Sequence, residues 1–226
     1  MSRPERLVFC DVDETLITCK SPFEFLRFYL EVRYGAEGAR RAGELRERLV
    51  AETAAGVSRE EANRVYYRAW RGEPAAEVEA WGRRWLSERL TDGNFFVAGT
   101  LVRLDRHRAE GAAVVLVSGS IPALLAPLAE TVGARHVLCA RMERCGRVFT
   151  GRLLGEPVIG EGKRTVVRQL LARYPDIDPA DCFGYGDHIS DLPMLMEVGH
   201  RVAVGEFSGL GQALADAERL APATGR

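Results

Sequence analysis

Val8-Phe-Cys-Asp11-Val-Asp13-Glu-Thr15-Leu16 is the stretch on which the reading of this sequence turns. An apolar run breaks off into two carboxylates one residue apart. In a regular strand those side chains would point to opposite faces. In a loop leaving the strand both can reach one site, where they repel each other unless a cation or a proton intervenes. Asp-x-Asp alone also fits an ordinary surface turn, so its meaning depends on the rest of the chain.

Working outward, three further runs share the pattern of the first, Leu7–Cys10: Ala113–Val117, Cys182–Tyr185 and Val202–Val204. All four are continuously apolar rather than alternating, as expected of parallel strands buried on both faces. Each ends in a polar or glycine-rich loop: the Asp11 loop, Ser118-Gly-Ser120, Gly186-Asp-His-Ile-Ser-Asp191 and Gly205. Helical patterns follow the second and third runs. A weaker strand, His136–Ala140, leads into a hairpin over Arg141–Leu154 that turns near Cys145-Gly146. The repetition of strand, loop and helix predicts an α/β fold, a Rossmann-like parallel sheet flanked by helices. In such sheets ligands bind outside the carboxyl ends of the strands, where all these polar loops lie.

Between about residues 18 and 98 the pattern changes to helical period, over 22–34, 37–54, 59–71 and 75–90. Ser58-Arg-Glu-Glu61 reads as a capping box, and Pro74 suits a first helical turn. Val78, Trp81, Trp85 and Leu86 recur at the spacing of a packed helix face. The stretch predicts an all-helical cap, 18–98, inserted after the first strand into a core formed by 1–17 and 99–226. The sheet is expected to resume near residue 99, and the tail after Phe207 to be helical to about Leu220 before fraying.

Composition narrows the function. The chain has 226 residues, 46% hydrophobic and 28% charged, with net charge −1. That is ordinary globular composition, with no basic field for nucleic acid or an anionic membrane. No run approaches the ~18 apolar residues of a membrane span. Five cysteines without Cys-x-x-Cys spacing argue against a disulfide framework or a zinc site, so a reduced, cytoplasmic protein is expected. Only two of 31 basic residues are lysines, Lys20 and Lys163, so any task needing an amine falls to one of them. Lys163, in Gly160-Glu-Gly162-Lys163-Arg-Thr, opens a predicted helix, where a cation opposes the macrodipole.

Taken in order, Asp11-x-Asp13-x-Thr15, Ser118, Lys163 and Gly186-Asp187-x-x-x-Asp191 resemble the four motifs of the haloacid dehalogenase superfamily. The helical insertion, Phe149-Thr-Gly-Arg-Leu153 and Ser190-Asp-Leu-Pro-Met-Leu195 are similar to its phosphoserine-phosphatase-like branch. The resemblance implies a Mg²⁺-dependent phosphomonoester hydrolase acting on a small phosphorylated metabolite. Asp11 would be the nucleophile that forms an aspartyl-phosphate, and Asp13 the acid and then the base. Mg²⁺, a hard cation that prefers oxygen, would be held by Asp11, the Asp13 carbonyl and Asp187. Ser118 and the Gly119 amide would hold phosphoryl oxygens, and Lys163 would neutralise both phosphate and Asp11. Asp191 would bind the metal through water or orient Lys163, and Thr15 would steady the first loop.

One departure bears on substrate. Phosphoserine phosphatases carry a glutamate for the substrate amine nine residues after the nucleophile; here that position is Lys20. A cation there would repel an ammonium and attract a carboxylate or a second phosphate. His188 stands beside the metal aspartate, and Arg27, Arg68, Tyr66 and Tyr67 are candidates to line the cap side of the pocket. Three other functions fit the same fold: phosphate transfer to an alcohol, as in a mutase; a non-enzymatic phosphate-binding regulator; and dehalogenation, which needs no metal.

Overall fold

The computed structural model describes residues 3–205, 209–214 and 217–221. Its centre is a six-stranded parallel sheet in the order β3-β2-β1-β6-β7-β8. The strands are β1 (Leu7–Asp11), β2 (Ala113–Ser118), β3 (His136–Cys139), β6 (Phe183–Gly186), β7 (His200–Val204) and β8 (Glu218–Leu220). β1 and β2 are buried along their whole length, which is why both read as unbroken apolar runs. Alternate residues serve two cores. Val8 and Cys10 face one side with Val114 and Leu116, while Leu7 and Phe9 face the other with Val115 and Val117. β4 (Met142–Cys145) and β5 (Val148–Leu153) form the expected antiparallel hairpin.

Between β1 and β2 lie four helices: α1 (Ser21–Ala54), α2 (Arg59–Arg68), α3 (Ala75–Arg89) and α4 (Ala98–Ala109). α1 is broken at Gly35, whose φ of 63° and ψ of −147° are non-helical. The break falls between the two periodic segments of the sequence. Phe25, Tyr29, Trp70 and Trp85 pack in the same cluster as Val8 and Cys10, so these helices share one core with a sheet face. The remaining helices are α5 (Pro122–Val132), α6 (Glu161–Leu171), α7 (Leu192–Leu195) and α8 (Leu210–Ala213). Among the described residues no helix is long and apolar enough to cross a membrane.

Four expectations are corrected. The sheet does not resume at residue 99: α4 comes first, and the next strand starts at Ala113. The tail is no helix to Leu220. After the single turn of α8 it becomes β8, which pairs with Val202–Val204; the fraying end at 222–226 lies outside the described residues. The third apolar run leads to a 3₁₀ turn, Ile189–Asp191, and the one-turn α7 rather than a full helix. Ser58 does cap α2, accepting the Glu61 amide, but the Glu61 carboxylate lies near Arg64 and Arg68 instead.

Candidate active site

The carboxyl ends of β1, β2 and β6 and the first turn of α6 converge on one cavity of about 380 Å³, of a size for a small ligand. After β1 the chain turns tightly: the amides of Leu16 and Ile17 both donate to the Val12 carbonyl, and Glu14 adopts a left-handed φ of 64°. That turn lets Asp11 and Asp13 both line the cavity. They meet different partners. Asp13 Oδ1 accepts the Ser21 amide at the start of α1, 2.9 Å away. Asp11, 7% exposed, lies beside Lys163.

Lys163 explains its awkward place at the start of α6. It is 3% exposed, and its Nζ donates to Asp11 Oδ1 and, at 2.7 Å, to Asp191 Oδ1. Two buried carboxylates thus outweigh an unfavourable macrodipole. The other oxygen of Asp191 accepts the amides of Asp187 and His188 at 3.2 and 3.1 Å. Asp191 therefore acts as a bracket, tying the lysine to the loop after β6. Two glycines permit this packing. A Cβ on Gly186 would stand 2.7 Å from the Asp191 Cβ, and one on Gly162 would stand 1.9 Å from the Pro157 carbonyl oxygen. Thr15 Oγ1 donates to Asp187 Oδ1 at 3.1 Å, so it joins the β1 loop to the β6 loop rather than only steadying its own.

Carboxylate oxygens of Asp11, Asp187 and Asp191 all lie within 4.8 Å of one another. Burial raises the Asp11 carboxyl above its usual range, opposed by Lys163 and aided by Asp191. Burial and the charge of Asp11 raise Asp13 to about 7. Burial, Asp11 and Asp191 raise Asp187 to about 8. Burial works against the Lys163 charge, but Asp11 and Asp191 prevail and hold the ammonium above its ordinary value. One lysine cannot compensate all of these carboxylates when they are ionised, a surplus of negative charge that a bound cation would relieve. An all-oxygen donor set of that charge suits a hard divalent cation such as Mg²⁺.

Ser118 ends β2, 2% exposed, and its Oγ accepts the Ser120 amide at 3.0 Å. Ser118 and Gly119 both line the cavity. So do Lys20, which is half exposed and 3.4 Å from the Glu14 carboxylate, and His188, whose Nδ1 accepts the Ser190 amide. On the helical side Tyr66 lines the cavity. Arg27 and Arg68 do not; they are exposed and face Glu31 and Glu61, which corrects the sequence expectation. Tyr67 is fully buried against the core. Sequence reasoning missed Arg59 and Asn63, which also line the cavity. The successive four-residue steps from Arg59 to Asn63 to Tyr67, one face of a helix, were the available signal.

The family model for haloacid dehalogenase-like hydrolases matches residues 8–196. A probable phosphatase of Mycobacterium tuberculosis is 35% identical over 144 residues, which is 62% of this chain and 47% of that protein. The chain therefore spans about half the length of such curated relatives. Two solved structures share its fold. A Bordetella pertussis protein of unknown function superposes with a TM-score of 0.80 at 24% identity, covering 96% of this chain and 99% of that one. A substrate-bound phosphoserine phosphatase gives 0.71 at 18% identity, covering 96% and 94%.

Proposed function

The chain belongs to the haloacid dehalogenase-like hydrolase family, and on that premise we propose that it is a Mg²⁺-dependent phosphomonoester hydrolase working through an aspartyl-phosphate. The observation that carries this reading is the buried bridge of Lys163 between Asp11 and Asp191, with Asp187 in the same cluster. It sets a nucleophile, a fixed cation and an oxygen donor set for a metal at the wall of one small cavity. The phosphatase name of the M. tuberculosis relative and the shared fold of a phosphoserine phosphatase support it.

In this reading Asp11 attacks phosphorus and carries the phosphoryl group as a mixed anhydride. Asp13, held on the first amide of α1, gives its proton to the leaving alkoxide. It then takes one from the water that opens the anhydride. Ser118 and the Gly119 amide hold phosphoryl oxygens, and Lys163 balances the charge shared by phosphate and Asp11. Asp11, the Asp13 carbonyl and Asp187 would hold Mg²⁺, which when bound lets a carboxylate approach a phosphate dianion and stabilises the charge in transfer. Asp191 positions Lys163, and Thr15 positions Asp187. Residues 1–17 and 99–226 form the core and 18–98 the cap, which excludes bulky esters and sheds water. The substrate is a small phosphate ester. Lys20 on the cavity wall favours one bearing a second anionic group over one bearing an amine.

The test is phosphate release from an aryl phosphate with and without Mg²⁺, in wild type and Asp11→Asn. The reading requires Mg²⁺-dependent release that the variant lacks. Purified protein inactive over a broad phosphate panel would contradict it.

A further inference from the structure

Arg59, Asn63 and Tyr67 project from one face of α2 onto the two loops that carry the site. The Arg59 guanidinium donates to Ser190 Oγ at 3.1 Å, in the β6 loop. Asn63 Nδ2 and the Tyr67 hydroxyl both donate to the Gly119 carbonyl, at 3.3 and 2.5 Å. Neither Asn63 nor Tyr67 has a place in the mechanism above. The Gly119 carbonyl belongs to the peptide unit whose amide, Ser120 N–H, donates to Ser118 Oγ at 3.0 Å. One peptide plane is thus gripped at both ends, by the helical insertion at its oxygen and by Ser118 at its nitrogen.

This has a consequence for Ser118. A hydroxyl offers one proton and two lone pairs. The Ser120 amide occupies a lone pair, so the Ser118 proton is left to point elsewhere, and Ser118 lines the cavity. Hydrogen bonds in series polarise one another, more so where water is excluded. Tyr67 is 0% exposed and Ser118 2%. A Cβ on Gly119 would approach Ile159 to 3.0 Å and the Asn63 amide to 3.4 Å, so the peptide is also confined sterically.

We propose that Tyr67, with Asn63 as a second donor, is a positioning residue for phosphate: through the 119–120 peptide it aims the Ser118 hydroxyl at a phosphoryl oxygen. The proposal rests on the role given to Ser118 above. It makes phosphate affinity depend on a hydroxyl of the helical insertion that never touches phosphate, and so links docking of α2 to occupancy of the site.

The test is a double-mutant cycle read by calorimetric binding of inorganic orthophosphate in the presence of Mg²⁺, with aryl phosphate turnover in parallel. Tyr67→Phe keeps the ring and removes only the donor; Asn63→Ala is a second, milder variant. Tyr67→Phe is expected to weaken phosphate binding roughly tenfold, in keeping with the large worth of hydrogen bonds to charged groups. In a Ser118→Ala background the same change should cost less than about twofold, because coupled residues are non-additive. Equal losses in both backgrounds would mean that Tyr67 acts by general packing, and no loss in either would mean that the peptide needs no grip; both overturn the proposal. A wild type that binds orthophosphate but hydrolyses no ester overturns the phosphatase reading while the cycle still decides the relay. A wild type that binds no orthophosphate overturns both.

Discussion

Replacing Lys163 with methionine keeps the length of the side chain and removes its charge. The ammonium is buried against Asp11 and Asp191, and deleting one partner of a buried ion pair costs about 3–5 kcal/mol. Two features place Lys163→Met near the lower bound. Asp191 keeps two backbone amides on its other oxygen, and Asp11 borders the cavity. The expected loss is therefore about 3 kcal/mol, a fall of roughly 6–12 °C in melting temperature for a chain of this size. The loss depends on pH with a definite sign. Burial already holds the Asp11 carboxyl above its usual range against the pull of Lys163, and without the lysine it rises further. A carboxyl raised in the folded state destabilises above its unfolded pKa of ~3.9. The deficit should therefore be largest near pH 8 and shrink toward pH 5 as Asp11 takes a proton. Thermal and urea unfolding of both proteins in chelator, at pH 5 to 8, measures it. A deficit that stays flat with pH, or one below about 0.5 kcal/mol at pH 8, would refute the reasoning.

Further expectations concern metal, pH and substrate. Saturating Mg²⁺ should raise the melting temperature over that in chelator, by the equivalent of about 2.7 kcal/mol at one hundred times its dissociation constant; Asp187→Asn should lose most of that response. His107 is buried with its Nε2 at 2.9 Å from the Tyr185 hydroxyl, and burial, then Arg6, lower its pKa. Its contribution to stability is present above the unfolded value of ~6.5 and is lost as pH falls below it, at up to about 1.4 kcal/mol per unit. Urea unfolding of His107→Gln should accordingly decline less than wild type between pH 7 and 5, and parallel curves would count against this. Lys20→Ala, screened over sugar, amino-acid, nucleotide and alcohol phosphates, should lose preference for esters with a second anion; an unchanged profile would return Lys20 to the solvated surface.

What the sequence revealed followed the strength of the physical signal. β1 and β2 are buried on both faces, so their runs of Val, Leu and Cys stood out. The break in α1 at Gly35 was visible as the gap between the helical segments 22–34 and 37–54. β8 was hidden because Glu218-Arg219-Leu220 is a short, charged edge strand, the form in which proteins protect sheet edges. α4 was hidden behind its polar face, where Arg103, Arg106 and Arg108 ion-pair. Within the site, the carboxylates and Lys163, which the fold brings to one cavity, were legible because their residue types and order along the chain form a pattern. The bracket role of Asp191 was half legible, as one of two alternatives. The grip of Tyr67 on Gly119 was not, since its partner is a backbone carbonyl and carries no residue signature. An aromatic pair such as Tyr66-Tyr67 on a helix reads first as core packing.

The central claim, that Asp11 carries the phosphoryl group, is tested most directly by acid-quenching the enzyme during turnover of a phosphate ester with Mg²⁺ and mapping covalent phosphate by mass spectrometry. The account predicts one phosphoryl group on the peptide containing Asp11 in wild type and none in Asp11→Asn. Steady phosphate release with no labelled enzyme, or a label on any other residue, would contradict it.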